Sequence, residues 1–360
     1  MGCGCVGCID SAGYAQRAAR AIAANMSEPV CRVRIATDCS GIDTPLYALR
    51  ETWQYRERRF NISHEFSSDI CKHARAFIQG NHRPRQLFTD IGDRDHYKLK
   101  KEPDLYIVGP PCQPWSRLGK KGGWSDPRSD VFQHVFDTIE AILPRCVIME
   151  EVSNFIHHDG GSSWKRVKKE IRRIGYRIRY DILRASQFGL PQSRPRLYLV
   201  AYRADIGVAP CIPEPPEMPI RALGDFLEPD RGIRGATPGK KNSHANRNLR
   251  KALKRLKKAG INHRRRTIAI DIDSTRKFMT MYEQRSPTLT RSRPAGFWLT
   301  SRERRMLPAE LFRLQGIDPS QVVPTTDSAR VLGQLVGNTM TVPVVKFLLE
   351  AVLSQLFDEL

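Results

Sequence analysis

The chain has 360 residues, of which 40% are hydrophobic and 27% are charged. This composition excludes a collagen-like, coiled-coil or wholly disordered protein. At roughly 100 to 200 residues per domain, the length accommodates two domains. No segment approaches the roughly 20 consecutive apolar residues of a membrane-spanning helix. We therefore expect a globular protein that neither spans a membrane nor takes one as a partner.

Positive charge is concentrated in one part of the chain. The sequence contains 59 Lys and Arg against 38 Asp and Glu, a net charge of +21. Such an excess favours a polyanionic partner, because each Lys or Arg placed on a phosphate releases condensed counterions. Fourteen Lys and Arg and no Asp or Glu lie between residues 231 and 266. This local excess predicts a nucleic-acid-binding surface; a basic surface that serves only solubility is the alternative.

The nine cysteines are scattered along the sequence and fit neither a disulfide framework nor a paired zinc site. They indicate a reducing compartment, and we predict no metal site. Residues 1–30 are predicted to form a flexible tail. The weaker alternatives for this end of the chain are acylation at Gly2 and Cys3, a metal site formed by Cys3, Cys5 and Cys8, and a cleaved transit peptide over residues 14–25.

Strand-like and helix-like segments alternate from residue 30 onward. The predicted strands are residues 32–37, 59–66, 104–108, 145–150, 176–183 and 196–202. The predicted helices between them include residues 45–55, 70–79, 130–143 and 163–174. This alternation predicts βαβ units and a doubly wound α/β domain on a parallel sheet. In such sheets, ligands bind beyond the carboxyl ends of the strands.

A second, smaller domain is predicted to begin after residue 202, where the sequence becomes rich in proline and then basic. Within the basic segment, Leu249, Ala252, Leu253 and Leu256 recur at the spacing of one helix face, which predicts an amphipathic helix with a basic outer surface. Residues 341–356 are predicted to form a long apolar helix that packs on the first sheet. The smaller domain would then interrupt the larger one.

Three chemically active side chains lie next to predicted strand ends. Cys112 lies in the turn after the third strand, Glu150 ends the next strand, and Arg196 begins the last one. Neighbouring strand ends bring a thiol, a carboxyl group and a guanidinium together, which is the composition of a catalytic site. For Cys112 taken alone, a buried structural cysteine is the alternative.

Eight sequence blocks occur in an order and at separations that resemble the cytosine-5 methyltransferases, which act on nucleic acid through S-adenosylmethionine. The blocks are Ser40-Gly41, Asp69, Asp90-Ile91, Pro111-Cys112-Gln113, Glu150-Glu151-Val152, residues 192–196, residues 305–316 and residues 334–339. The resemblance runs from about residue 32 to the C-terminus. It implies a doubly wound, Rossmann-like class I methyltransferase domain with a smaller inserted target-recognition domain.

The resemblance implies a set of catalytic roles. Cys112 would add to carbon 6 of cytosine, which activates carbon 5 for methylation. Glu150 would donate a proton to ring nitrogen 3, and Arg196 would pair with the carbonyl oxygen of the base. Arg194 and Gln192 would act as supports or backbone contacts, and the resemblance places Arg194 and Gln113 in the catalytic set.

The cofactor implied by the resemblance is S-adenosylmethionine. The turn at Gly41 would approach its methionine part, Asp69 would accept the ribose hydroxyls, and Asp90 and Ile91 would contact the adenine. The full set of predicted cofactor-binding residues is Cys39, Ser40, Gly41, Ile42, Asp69, Ile70, Asp90, Ile91, Pro111 and Asn338.

The resemblance also divides the chain. Residues 31–203 and 330–360 would form the catalytic domain, residues 204–296 the target-recognition domain, closed by the pattern at 287–290, and residues 297–329 a connecting segment. Residues 114–130 match the loop that closes over a flipped base. Its candidate backbone contacts are Ser116, Arg117, Lys120 and Lys121. We expect double-stranded DNA as the partner and a monomeric enzyme.

Three departures from the family pattern affect the details. Cys39 and Asp43 replace usual residues of the first block, which alters the geometry of cofactor binding. Glu151 stands where asparagine usually follows the catalytic acid, and a second carboxylate there either favours protonation of the pair or points away. Asp69 stands where glutamate is usual, so its reach is one methylene shorter.

Two alternative functions are consistent with the sequence. A related eukaryotic branch methylates tRNA, although its Cys-Phe-Thr signature is absent here. The other alternative is a catalytically silent nucleic-acid-binding module. The joint presence of Cys112, Glu150 and Arg196 favours an enzyme, and we expect the substrate to be DNA.

Overall fold

The computed structural model describes residues 31–55, 60–111, 123–229, 238–241, 243–275 and 279–357. The tail predicted over residues 1–30, together with its acylation, metal and transit-peptide alternatives, lies outside these residues. So do Cys112, Gln113 and the first part of the predicted closing loop.

A seven-stranded sheet forms the centre of the molecule. Its strands are β1 (Cys31–Asp38), β2 (Phe60–Ser68), β3 (Gln86–Phe88), β4 (Leu105–Val108), β5 (Cys146–Val152), β6 (Tyr176–Arg184) and β7 (Pro195–Arg203). They lie in the order β3-β2-β1-β4-β5-β7-β6. The sheet order reverses between β1 and β4, and ligands of open α/β sheets bind at such a reversal.

Helices cover both faces of this sheet, so the predicted doubly wound α/β architecture is confirmed. The helices that cover it are α1 (Thr44–Tyr55), α2 (Lys72–Asn81), α3 (Val131–Ile142), α4 (Ser162–Arg173) and, from the end of the chain, α8 (Val342–Phe357). Apolar residues of α1, α2 and α8 pack with one side of the strands. Those of α3 and α4 pack with the other. The C-terminal helix therefore returns to the first sheet, as its apolar sequence predicts.

One strand departs from the expected parallel arrangement. Strand β7 runs antiparallel to both β5 and β6, whereas β1 to β5 pair in parallel. The reason is the short connection from β6 to β7, whose helical part is a single turn at Ala185–Gln187. A parallel crossover needs a longer connection, usually an α-helix.

A second, antiparallel sheet was not predicted. Its strands β8 (Ile268–Ile270), β9 (Met281–Glu283), β10 (Trp298–Leu299) and β11 (Arg304–Arg305) lie in the order β11-β10-β8-β9. The predicted basic helix is α5 (His244–Lys258), which packs on this sheet through an apolar face that includes Leu249 and Ala252. Strands of two or three residues are too short to show a two-residue hydrophobic alternation.

Two further helices connect the sheets: α6 (Pro308–Leu314) and α7 (Ala329–Gly337). No single helix in the described part of the chain is long and apolar enough to cross a membrane. Helices α7 and α8 meet that requirement only as a pair that is bent by 41° at the break between them. The apolar residues of α8 are largely buried in the core of the first sheet.

Candidate active site

A cavity of about 710 Å³ opens at the carboxyl ends of the parallel strands. Nine of the ten predicted cofactor residues line it: Cys39, Ser40, Gly41, Asp69, Ile70, Asp90, Ile91, Pro111 and Asn338. The tenth, Ile42, is fully buried and packs in the hydrophobic core below the first turn. The structure therefore brings together residues that are up to 299 positions apart in the sequence.

The turn after β1 has an unusual backbone. Cys39, Gly41 and Asp43 all adopt left-handed conformations, with φ of 50°, 59° and 59°. Residues other than glycine rarely adopt such angles, so the departures at positions 39 and 43 carry backbone strain. A side chain at position 41 would meet no atom within 4 Å, so the backbone of Gly41 is open to a ligand.

Cys39 lines the cavity, but its thiol is not activated. Burial raises its pKa well above the usual value, and the nearby carboxylates of Asp38, Asp69 and Asp90 raise it further. Because the thiolate is the nucleophilic form, Cys39 does not compete with a catalytic cysteine.

Asp38 is a buried carboxylate that connects several segments, and the sequence motifs do not identify it as a site residue. Its carboxylate accepts hydrogen bonds from Arg94 Nη1 at 2.7 Å and from the Tyr106 hydroxyl at 2.7 Å, and from the hydroxyl of Ser68. These contacts hold the ends of β1, β2 and β4 against the turn that follows Ile91. An acidic residue at the very end of a buried strand is the signal that could have identified it.

Asp69 is positioned by backbone hydrogen bonds. Its two carboxylate oxygens accept from the backbone N–H groups of Gly41 and Cys71, each at 2.8 Å. Burial raises the pKa of Asp69, and these two N–H groups lower it in part. Each carboxylate oxygen has a second lone pair, so Asp69 can still accept a hydrogen bond from a ligand hydroxyl.

Ile70, next to Asp69, is an apolar side chain that the fold leaves uncovered. It is 76% exposed, the highest value among the large apolar residues described, and it lines the cavity. A bound ligand with a flat apolar ring would cover it.

Glu150 and Arg196 face the cavity from adjacent antiparallel strands, β5 and β7. Arg196 Nε lies 2.9 Å from Glu150 Oε1, and the two side chains are 15% and 13% exposed. Oε1 has no aligned hydrogen-bond donor among the described residues, even though Nε is close. The pair therefore presents a guanidinium and a carboxyl group that can still bind an incoming polar ring.

The predicted nucleophile lies outside the described residues, as does Gln113 beside it. The described chain stops at Pro111, which lines the cavity, and resumes at Gly123. The predicted backbone contacts Ser116, Arg117, Lys120 and Lys121 fall in the same gap. Their places in the site stay predictions.

Arg194 lines the cavity but directs its guanidinium at backbone carbonyls. It donates to Leu289 O at 2.6 Å and to Thr339 O at 2.8 Å, with longer contacts to Gly337 O. It is buried, with 3% exposed. These bonds connect the start of β7 to the residues after α7.

Two glutamines join the family-like blocks of the sequence to one another. Gln192 Nε2 donates to Leu314 O at 2.6 Å and to Gln315 Oε1 at 3.1 Å, and its Oε1 accepts from Leu289 N at 3.2 Å. Gln315 Nε2 donates in turn to Val336 O at 3.1 Å. The sequence shows Gln315 only as part of a block, because no local pattern indicates which carbonyls it reaches.

Glu151 points away from the cavity. It is 2% exposed and does not line the cavity, and its Oε2 accepts a hydrogen bond from Val152 N at 2.9 Å. Burial, followed by the charge of Glu150, raises its pKa well above the usual value. Successive residues of a strand face opposite sides, which explains the different surroundings of the two glutamates.

Two cavity-lining arginines were missed from the sequence: Arg128 and Arg291. The positive charge of Arg291 acts on the carboxylate of Asp69. Arg128 lies in the predicted closing loop but was not among its candidate contacts, and Arg291 lies outside the family-like blocks, so their place in the fold reveals both as cavity residues.

A model of the family described as C-5 cytosine-specific DNA methylase matches residues 40–354. The Type II methyltransferase M.NlaX of Neisseria lactamica is 28% identical over 291 residues, which covers 79% of this chain and 87% of the relative. M.NgoBI of Neisseria gonorrhoeae is 31% identical over 175 residues, which covers 49% of this chain. The match spans about half of that relative's length, 54%.

Solved structures show the same fold. The S. pombe Dnmt2 methyltransferase has a TM-score of 0.57 at 20% identity, covering 91% of this chain and 99% of that one. The Entamoeba histolytica methyltransferase EhMeth has a TM-score of 0.61 at 16% identity, covering 91% and 98%. The first sheet and its helices thus form a Rossmann-like class I methyltransferase fold. From the family match across most of its length, the chain belongs to the C-5 cytosine-specific DNA methylases.

Proposed function

We propose that this chain transfers the methyl group of S-adenosylmethionine to carbon 5 of cytosine in double-stranded DNA. Membership of the family supports the reaction class. The observation that carries the proposal is the Glu150–Arg196 pair, which faces the same cavity as the predicted cofactor residues. A silent binding module has no need of such a pair beside a ligand cavity.

The cavity fits an adenosyl cofactor. The exposed side chain of Ile70 offers an apolar surface to the adenine, and the carboxylates of Asp69 and Asp90 suit hydroxyl and amino donors. The left-handed turn at Gly41 leaves backbone open to the methionine part. When bound, S-adenosylmethionine supplies the electrophilic methyl group.

Cys112 provides the nucleophile in this proposal. Its thiolate adds to carbon 6 of the cytosine ring, and the electron pair of the 5,6 double bond makes carbon 5 nucleophilic. After methylation, a base removes the proton from carbon 5 and the thiolate leaves, which restores the double bond. The resemblance of residues 111–113 to the family supports this role.

Glu150 and Arg196 stabilise the ring during that addition. Electron density moves toward ring nitrogen 3, where the Glu150 carboxyl group donates a proton. Arg196 pairs with the carbonyl oxygen of the base, because a guanidinium stabilises the negative charge that develops there. Arg194 and Gln113 support this arrangement, Arg194 through the carbonyl groups that it binds.

We assign the remaining segments of the chain to the binding of double-stranded DNA. A cytosine inside a duplex must be flipped out to reach the cavity, and residues 114–130 are the proposed closing loop. We assign residues 204–296 to target recognition, residues 31–203 and 330–360 to catalysis, and residues 297–329 to the connection. The basic outer face of α5 supports contact with phosphates. We propose that the enzyme acts as a monomer.

The test is transfer of tritium from methyl-labelled S-adenosylmethionine to nucleic acid by the purified full chain. We expect label in double-stranded DNA and none in tRNA. The Cys112→Ala variant should lose transfer and keep DNA binding. Label in tRNA alone would support the RNA-directed alternative, whereas no label in either substrate, with DNA binding intact, would support a silent module.

A further inference from the structure

Three side chains that commonly bind metals meet between helix α3 and the turn that precedes β4. One potential ligand atom from each of His96, His134 and Asp137 lies within 4.8 Å of the other two. His134 and Asp137 are three residues apart on α3, so they share one face of the helix. His96 approaches them from the turn at His96–Lys98. All three side chains are half-buried.

The hydrogen bonds around His96 leave one ring nitrogen available. Thr138 Oγ1, which donates to His134 O at 2.7 Å, lies 3.0 Å from His96 Nδ1, and Arg94 Nε donates to the same nitrogen at 3.4 Å. Both contacts of the ring are therefore at Nδ1. Nε2 has no hydrogen-bond partner among the described residues, and a histidine ligand is usually oriented through its other nitrogen in this way.

The other two groups also have free coordinating capacity. Among the described residues, no hydrogen-bond partner contacts the ring nitrogens of His134. Asp137 accepts one hydrogen bond, from Gln133 Nε2 at 2.9 Å, and no Lys or Arg of the described chain forms an ion pair with it. The carboxylate of Asp137 therefore has lone pairs available for a cation beside the two imidazoles.

We propose that His96, His134 and Asp137 form a binding site for a divalent transition-metal ion of the zinc type, with water completing the coordination. Two imidazoles and one carboxylate with an open position are a ligand set that zinc accepts. Ligand atoms on a tetrahedral ion with bonds of about 2.0 to 2.1 Å lie about 3.3 Å apart. The ligand atoms now lie within 4.8 Å of one another, so a bound ion would draw the three side chains closer together.

The position of the site gives the ion a structural role. It would hold the turn at His96–Lys98 to helix α3. Arg94 extends the connection, because its guanidinium donates to Thr138 at 3.1 Å and to the buried Asp38 at the end of β1. An ion at this site would therefore stabilise the turn on the adenine side of the cavity, without touching the reacting atoms.

The test is metal binding by the purified, metal-free full chain, with Co²⁺ as a spectroscopic probe and Zn²⁺ as the stabilising ion. We expect Co²⁺ to bind with ligand-field absorption and without the charge-transfer band that a cysteine ligand gives. Zn²⁺ should raise the melting temperature, and Mg²⁺ should not. The matched control is His157→Ala, which removes an exposed histidine outside the cluster and should bind like the unaltered chain.

The variant His134→Ala should lose one equivalent of bound Co²⁺ and the zinc-dependent rise in melting temperature. Asp137→Asn should weaken Co²⁺ binding at least 10-fold. Because it preserves the shape of the side chain, it tests the site even if the alanine variant misfolds. The proposal is overturned if both variants bind as the unaltered chain does, if the chain binds no Co²⁺, or if all bound Co²⁺ shows cysteine charge transfer.

Discussion

Neighbouring residues of β5 have opposite chemical surroundings. Glu150 faces the cavity and Arg196, whereas Glu151 is buried on the other side of the strand. The sequence predicts Glu150 as the acid, because residues 150–152 resemble a block of the family. The sequence leaves the orientation of the second glutamate open, since it depends on how β5 pairs with β7 and which side of that pair is covered.

Exchanging each glutamate for glutamine separates their roles. Glu150→Gln should lower the rate of methyl transfer by roughly 10²- to 10⁴-fold, because it removes the proposed proton donor. Glu151→Gln should stay within a few-fold of the unaltered enzyme. Initial rates at saturating DNA and cofactor are the measurement, and equal losses in the two variants would contradict the assignment.

The raised pKa of Glu151 predicts a pH-dependent difference in stability. When the pKa of a carboxyl group is higher in the folded than in the unfolded state, its contribution to stability is complete below the unfolded value of about 4.5 and is lost as the pH rises. The Glu151→Gln variant has no ionisable group at this position, so its stability does not fall in this way as the pH rises. Its urea midpoint, relative to that of the unaltered chain, should therefore be higher at pH 8 than at pH 5. A pH-independent difference would show that Glu151 is not buried as described.

At the scale of elements, the site depends on contacts between segments that are far apart in sequence. Helix α7 packs directly on residues 290–294, and only glycine fits at the contact. A Cβ at Gly333 would lie 1.7 Å from Pro294 O, and one at Gly337 would lie 2.3 Å from the carbonyl carbon of Thr290. The sequence shows the blocks that contain these residues, but not that one block supports another.

Gly333→Ala should therefore destabilise the docking of α7. Because the new Cβ would clash with backbone, the helix must move. We expect the free energy of unfolding to fall by about 3 kcal/mol or more. Thermal unfolding measures this loss of stability. Enzyme kinetics should also show a raised KM for S-adenosylmethionine, since Asn338 at the end of α7 lines the cavity. The control is Gly224→Ala, where the new Cβ would lie 3.6 Å from Gln284 Oε1, an ordinary contact. Similar effects of the two substitutions would contradict the packing argument.

At the scale of the whole molecule, the longer elements could be predicted and the short ones could not. Six strands, their helices and the returning C-terminal helix follow from periodicity in the sequence, whereas β3 and the second sheet consist of strands of two or three residues. The antiparallel direction of β7 depends on the length of one connection. The clustered charge is visible in composition, and the structure places part of it on the outer face of α5.

The charge on α5 should determine the salt dependence of DNA binding. Replacing Lys254, Lys257 and Lys258, which are exposed, by glutamine should reduce the slope of log K against log salt by about 0.9 for each phosphate that these side chains neutralise. The matched control replaces three exposed basic residues of α4, namely Lys165, Lys169 and Arg172. Equal changes in both variants would indicate that net charge, rather than this surface, binds DNA.

Bisulfite sequencing of DNA from a methylation-free host that expresses this chain tests cytosine-5 methylation directly. We predict protected cytosines within one recurring sequence context, and complete conversion when Cys112 is replaced by alanine. Uniform conversion with the intact, folded chain, or protection that survives the Cys112→Ala substitution, would contradict it.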